Sequence, residues 1–485
     1  MKKDIVNIEK TNEISVARLR SNYGNPAKGY LQKDADEMLA KILNTPNTEE
    51  IYEIEGTKYY VSVSGDDNND GKSPDTAIKT LDAIEKLPLK DGDAVLFKRG
   101  DIFRFARTLN AVDGVTYGSY GEGMKPGIYG SPENYAENDR WQEERPNIWK
   151  IKFPYKYASG CILDYGRIHG IQKWQDKLDG MNANGDYYHD YESDTFYLYC
   201  DEGKPNEVYA DIEIMPTETI MMLRDSKDVT VDNLCFKYTA SFAIHAPDIK
   251  GNVFITNNEL GYIGGLWTGG LPGGRVRFGN AVEFWAGLPK VHVNGVTVKN
   301  NWFYETYDSA LTWQGNQYDT IWENITYAEN LFEYNNADIE YFGHEGGVLK
   351  NFRIENNIMR FTSMGWGTRT SDGGIRGIEG CIRAVTSDSK RHMDIESAYF
   401  TNNKLDCPAR QTINWNINAE QKKVVYASGT KLYIKSEYRT LEQCLQGLQD
   451  DWTTERYDQR MATNKQELVE MFPRFEKGAE IHWDE

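Results

Sequence analysis

From about residue 229 the chain repeats one short pattern of apolar and polar positions. VTVDNLCFKY from Val229, VFITNNELGY from Val253, VTVKNNWFYE from Val296, ITYAENLFEY from Ile325, FRIENNIMRF from Phe352 and AYFTNNKLDC from Ala398 each read apolar-x-apolar-x-Asn-apolar. Alternation with period two predicts strands that bury one face. The asparagines that align are Asn233, Asn258, Asn301, Asn330, Asn357 and Asn403, spaced by 25, 43, 29, 27 and 46 residues. Such a period predicts a solenoid of stacked coils, and the doubled gaps predict insertions or an extra coil. Asparagine at the turn of each coil can take left-handed backbone. Its amide can also bond the equivalent amides above and below, as a ladder. The predicted fold class is all-β, a parallel β-helix, and these asparagines are read as structural.

A second strand follows each Asn turn. Aligned by its inward aliphatic residue, it contains Ile244, Val282, Leu311, Ile339 and Ile413. The next residue in each then faces outward, giving the column His245, Glu283, Thr312, Glu340 and Asn414. The preceding residues Ala243, Ala281, Ala310, Asp338 and Thr412 face outward as well. The coil of Asn357 has no clear register, because Gly365, Trp366 and Gly367 interrupt it. One outer sheet therefore collects Glu283, Asp308, Asp338 and Glu340, the candidate catalytic carboxylates. Strands in neighbouring coils lie about 4.8 Å apart, and those two coils apart about 9.6 Å. These distances bracket the carboxyl separations of glycosidases, about 5–5.5 Å for retaining and about 6.5–9.5 Å for inverting enzymes. Trp313, Tyr341, Trp366, Trp267, His245, His344, Arg369 and Gln314 are the candidate substrate-binding residues, on or beside the same strands. The Gly-rich stretch 261–280, with Trp267, Arg275 and Arg277, is read as a lid.

The rest of the chain divides around this core. A helical pattern over 11–45, with Met38, Leu39 and Leu43 at helix spacing, predicts an N-terminal helical arm within 1–55. Residues 56–134 supply the first coils, with a strand at Tyr59–Val63, a short helix at Ile78–Ile84 and a strand after the Asp91-Gly92 turn. Strand-like fragments NIWKIKF and TFYLYCD predict a small β-rich insertion at 135–210. Residues 211–430 form the central β-helix with the active-site face. LEQCLQGLQDDW, within 431–485, predicts a C-terminal cap.

Composition narrows the function. With 55 basic and 74 acidic residues the formal charge is −19, which disfavours nucleic acid as a partner. No apolar run is long enough to span a membrane. MKKDIVNIEK at the start has no apolar segment behind its basic residues, so a cytoplasmic chain is expected, or a secreted one if a leader has been removed. The six cysteines show no metal-binding spacing and read as free thiols.

YYVSVSGDDNNDG followed by GDAVLFKRGDIF resembles the opening coil of right-handed parallel β-helix proteins of the pectin-lyase-like class, mostly carbohydrate-active enzymes. YYHDYESDTFYLYC resembles a hairpin of bacterial members of that class. YDSALTWQG, ADIEYF and ENNIMRFTSMGWGTR look like the central coils of bacterial β-helix glycoside hydrolases, including the lacto-N-biosidase-like families. The resemblance implies a right-handed β-helix acting on an oligo- or polysaccharide. The expectation is a glycoside hydrolase, exo-acting, with Asp308 as nucleophile, Glu340 as acid and no metal or cofactor. The rival is a polysaccharide lyase acting on a uronate. It would use Ca²⁺ or an arginine among Arg275, Arg277, Arg360, Arg369 and Arg376 to neutralise the carboxylate. A non-catalytic glycan-binding β-helix is the third reading.

Overall fold

The computed structural model describes residues 31–269, 277–315, 319–343, 346–368, 372, 380–385, 393–406, 411–415, 425–434 and 480–483. Among these residues three long sheets, of 11, 10 and 8 strands, run the length of the molecule. Every strand in them pairs in parallel, and each coil visits the sheets in turn. One coil, for example, passes through His292–Lys299 in the first sheet, Trp302–Thr306 in the second and Ser309–Gly315 in the third. The next stacks on it with Ile321–Ala328, Leu331–Glu333 and Ala337–Phe342. The chain is a right-handed parallel β-helix. Inward residues of successive coils fill the bore in stacked rows, as with Phe303 on Phe332 at 5.0 Å.

The Asn ladder joins the first and second sheets and differs from the predicted column by one residue at its start. Asn258, Asn301, Asn330, Asn357 and Asn403 form the ladder. Each backbone N–H and side-chain amide donates to the carbonyl oxygen of the next asparagine at 2.8–3.1 Å. In the preceding coil the equivalent position is Leu234, whose N–H donates to Asn258. Asn233 stands one residue earlier, at φ 59°, in line with Asn257, Asn300, Glu329, Asn356 and Asn402. The two roles predicted for one asparagine are thus split between neighbours. The left-handed turn comes first, and the buried amide that satisfies it comes next.

Of the predicted N-terminal arm, residues 1–30 lie outside the described residues. Gln32–Leu43 is helical and buries Ala35, Leu39 and Ile42. It lies along the outer face of the second sheet, held by Leu31 N–H to Asp406 (3.1 Å) and by Arg360 to Gln32 (2.9 Å). The segment 441–452, predicted to cap the C-terminus, also lies outside them. Glu480–Trp483 extends the second sheet beside Lys431–Ile434.

Three long excursions leave the coils at one corner, between the second and third sheets, over about 130–220, 264–281 and 361–379. The first carries a five-stranded sheet, of which Asp186–Asp190 and Thr195–Tyr199 are an antiparallel pair, and a three-stranded sheet around Ala158–Leu163. Together they build a wall along one side of the third sheet. No helix among the described residues is long and apolar enough to cross a membrane.

Candidate active site

The third sheet has the register that the alternation predicts. Ile244, Val282, Leu311 and Ile339 pair in a row, and so do His245, Glu283, Thr312 and Glu340 beside them. The coil that could not be placed from sequence contributes Ile382 and Arg383, with Ile413 and Asn414 following. The outward column among the described side chains is therefore His245, Glu283, Thr312, Glu340 and Arg383. Two residues further along each strand lies a second outward row, Pro247, Trp285, Gln314 and Phe342. Trp285, Gln314 and Phe342 are half-buried, so an aromatic and amide surface borders the carboxylates.

Polar contacts run along this column. Glu340 Oε2 accepts from Ser309 Oγ (3.0 Å), Thr312 Oγ1 (3.3 Å) and Gln314 Nε2 (3.1 Å), and Oε1 lies 3.4 Å from an Arg383 guanidinium nitrogen. Three donors and a cation around one carboxyl favour its anionic form. Glu283 Oε2 accepts from Asn280 Nδ2 at 2.6 Å. Its Oε1 lies 3.3 Å from His245 Nε2, close but not aligned as a hydrogen bond. The His245 ring stacks on Phe242 at 4.7 Å. Asn280 Oδ1 accepts the Ser309 N–H at 2.9 Å.

Not every predicted residue reaches this face. Trp313 and Tyr341 point into the bore and stack on each other at 5.0 Å, with exposures of 0% and 1%. They stand two residues after inward Leu311 and Ile339, so alternation takes them inside. Asp338 faces outward but is covered by the 361–368 segment. It accepts from Thr362 Oγ1 and from Asn335 Nδ2, and burial pushes its carboxyl up to about 7. Asp308 is 8% exposed and sits at the corner just before its strand, where its backbone carbonyl accepts from Ala337 N–H at 2.9 Å. Trp366 wedges against Tyr307 at 4.9 Å and donates its indole N–H to the Glu305 carbonyl at 2.7 Å, as part of the wall. Trp267 is half-buried, and its indole N–H donates to Gln172 of the large insertion at 3.0 Å. His344, Arg369, Arg275 and Arg376 lie outside the described residues.

The base of the predicted lid is anchored. Leu266–Trp267 and Arg277–Phe278 pair as a short hairpin. Arg277 donates to Gly265 O (2.9 Å) and to Ser159 O (2.6 Å) in the insertion, and its guanidinium lies over Tyr307 at 4.7 Å. Residues 270–276, between them, are not described. Arg360, a cation considered for the lyase reading, is buried on the second sheet between Glu333 (2.8 Å) and Asp406 (3.3 Å). No group of three or more His, Cys, Asp or Glu among the described residues could hold a metal ion.

Sequence reasoning missed Arg383, Asn280 and Ser309. Arg383 was hidden by the excursion that separates Asn357 from its third-sheet strand. Asn280 did leave a signal, because Asn280–Glu283 and Asn335–Asp338 share an N-x-x-acid spacing, and both bonds form, at 2.6 and 3.1 Å.

No protein-family model matches the chain, and no curated protein matches it. Among solved structures it is similar to one described as a glycoside hydrolase, at 9% identity, over 78% of this chain and 93% of that one, with a TM-score of 0.45. A GH136 lacto-N-biosidase from Eubacterium ramulus aligns over 80% of this chain and 69% of its own, at 12% identity and a TM-score of 0.33. A family 28 exopolygalacturonase from Yersinia enterocolitica aligns over 78% and 72%, at 11% identity and a TM-score of 0.33. The parallel sheets and their register, rather than likenesses at this distance, identify the chain as a right-handed parallel β-helix.

Proposed function

We propose that the protein is a glycoside hydrolase whose reaction occurs on the outer face of the third sheet. The observation that carries this reading is the pair Glu283 and Glu340, in one outward column with Thr312 between them. Two strand spacings amount to about 9.6 Å, at the upper edge of the inverting separation of about 6.5–9.5 Å. Glu340, surrounded by donors, is the base: it takes a proton from water as the water oxygen attacks the anomeric carbon. Glu283, with fewer donors, is the acid: it gives its proton to the leaving oxygen as the glycosidic C–O bond breaks. This exchanges the acid role first expected of Glu340. Trp285 and Phe342 would take sugar faces, and Gln314 would bond a hydroxyl. Exo action is part of this proposal, with the excursions at the second-to-third corner bounding the bound sugar.

The described arginines near this face, Arg277 and Arg383, are both engaged by protein groups. A glycan screen followed by NMR of the first-formed product tests the reading. An inverted anomer supports the Glu283–Glu340 pair. A retained anomer would move the chemistry to Asp308, at the corner of the coil next to that of Glu340, and an unsaturated sugar would replace hydrolysis with elimination.

A further inference from the structure

We infer that Asn280 and Ser309 are positioning residues that tie Glu283 and Glu340 into one hydrogen-bonded array. The inference rests on the proposed site but concerns residues that lie beneath it. The Asn280 amide donates to Glu283 Oε2 at 2.6 Å, and its carbonyl oxygen accepts the Ser309 N–H at 2.9 Å. The Ser309 hydroxyl donates to Glu340 Oε2 at 3.0 Å. Both residues are fully buried. Each bond therefore acts where water does not compete, and each carboxyl is held in one rotamer by a group that itself cannot move. Two glutamates on different coils are thereby fixed relative to each other through the backbone of Ser309. Asn280 sends its donor to a glutamate of its own coil and its acceptor to the next coil, so that one side chain serves both carboxyls. Among the described residues the other titratable or charged groups on the same face are His245, Asp308, Asp338 and Arg383, and they are the same in every variant below.

The array makes opposite demands on two conservative variants. Asn280→Asp keeps the acceptor for Ser309 N–H but loses the donor to Glu283 and adds a negative charge beside it. Ser309→Ala keeps the backbone N–H and removes only the donation to Glu340. Selectively ¹³C-labelled glutamate, assigned with Glu283→Gln and Glu340→Gln, allows each carboxyl to be titrated by NMR in the full-length protein without substrate. Asn280→Asp should raise the Glu283 titration by about one pH unit or more and leave Glu340 within a few tenths. Ser309→Ala should raise that of Glu340 and leave Glu283 in place. In an identified assay the first variant moves the basic limb of the kcat/KM profile upward and the second moves the acidic limb upward. Unshifted titrations in both folded variants, or melting temperatures that fall while both carboxyls titrate as before, overturn the inference. Failure of the functional reading looks different, since Glu283→Gln and Glu340→Gln would then keep full activity on the protein's substrate.

Discussion

Asn330→Ala removes one rung of the ladder, and its effect follows from four bonds. The Asn330 amide donates to Val298 O at 2.9 Å and to Asn357 Oδ1 at 3.0 Å, and its carbonyl oxygen accepts the Asn301 N–H and side-chain amide, each at 3.0 Å. Two of the partners keep other bonds. The Asn301 amide still donates to Ile255 O at 2.8 Å, and Asn357 Oδ1 still accepts the Asn330 N–H at 2.9 Å. The Asn301 backbone N–H loses its ladder acceptor inside the molecule. A stranded buried donor costs about 1–3 kcal/mol, and each of the other bonds contributes about 0.5–1.5 kcal/mol net. The expected loss is about 4 kcal/mol, allowing for partial relaxation. Urea unfolding measures the total, and amide hydrogen exchange at Asn301 reports the rung itself. Exchange there should accelerate strongly, while activity per folded molecule is unchanged because the rung lies between the first and second sheets. A loss below about 1 kcal/mol with unaltered protection at Asn301 would refute the reasoning. So would intact stability with lost activity.

The remaining predictions concern the site. Glu340→Gln and Glu283→Gln should each lower kcat by at least about a hundredfold with the melting temperature held, as measured on whichever glycan the screen identifies. Retention of more than about a tenth of kcat/KM, under roughly 1.4 kcal/mol, would exclude the pair. Shortening the 270–276 stretch while keeping the Arg277 anchor should raise KM or admit longer chains, and circular dichroism should show the fold unchanged. Asp338 has a folded-state titration near 7, above its unfolded value, so the stability it contributes is present below about pH 4 and is lost as pH rises toward 7. Asp338→Asn should therefore flatten the pH dependence of unfolding free energy across that window, and an unchanged slope would show that Asp338 is not the group responsible.

Much of the architecture is legible in the chain because a solenoid writes its geometry locally. Each coil must bury alternate residues and turn at the same point, so Val296, Ile325 and Phe352 repeat in register without reference to anything distant. The same alternation placed Ile244, Val282, Leu311 and Ile339 inward and His245, Glu283, Thr312 and Glu340 outward, and these pairings are present. Applied one step further it would have sent Trp313 and Tyr341 into the bore, where aromatic residues serve packing. What tertiary structure alone decided is what covers each outward position. Asp338 and Glu340 share a face of one strand, yet the 361–368 segment buries the first, and Ser309, Thr312, Gln314 and Arg383 surround the second. Those neighbours come from other coils and from excursions whose lengths break the repeat. The protonation state and freedom of a carboxylate depend on such neighbours through burial and hydrogen bonding, which fall off within a few ångströms and follow no sequence period.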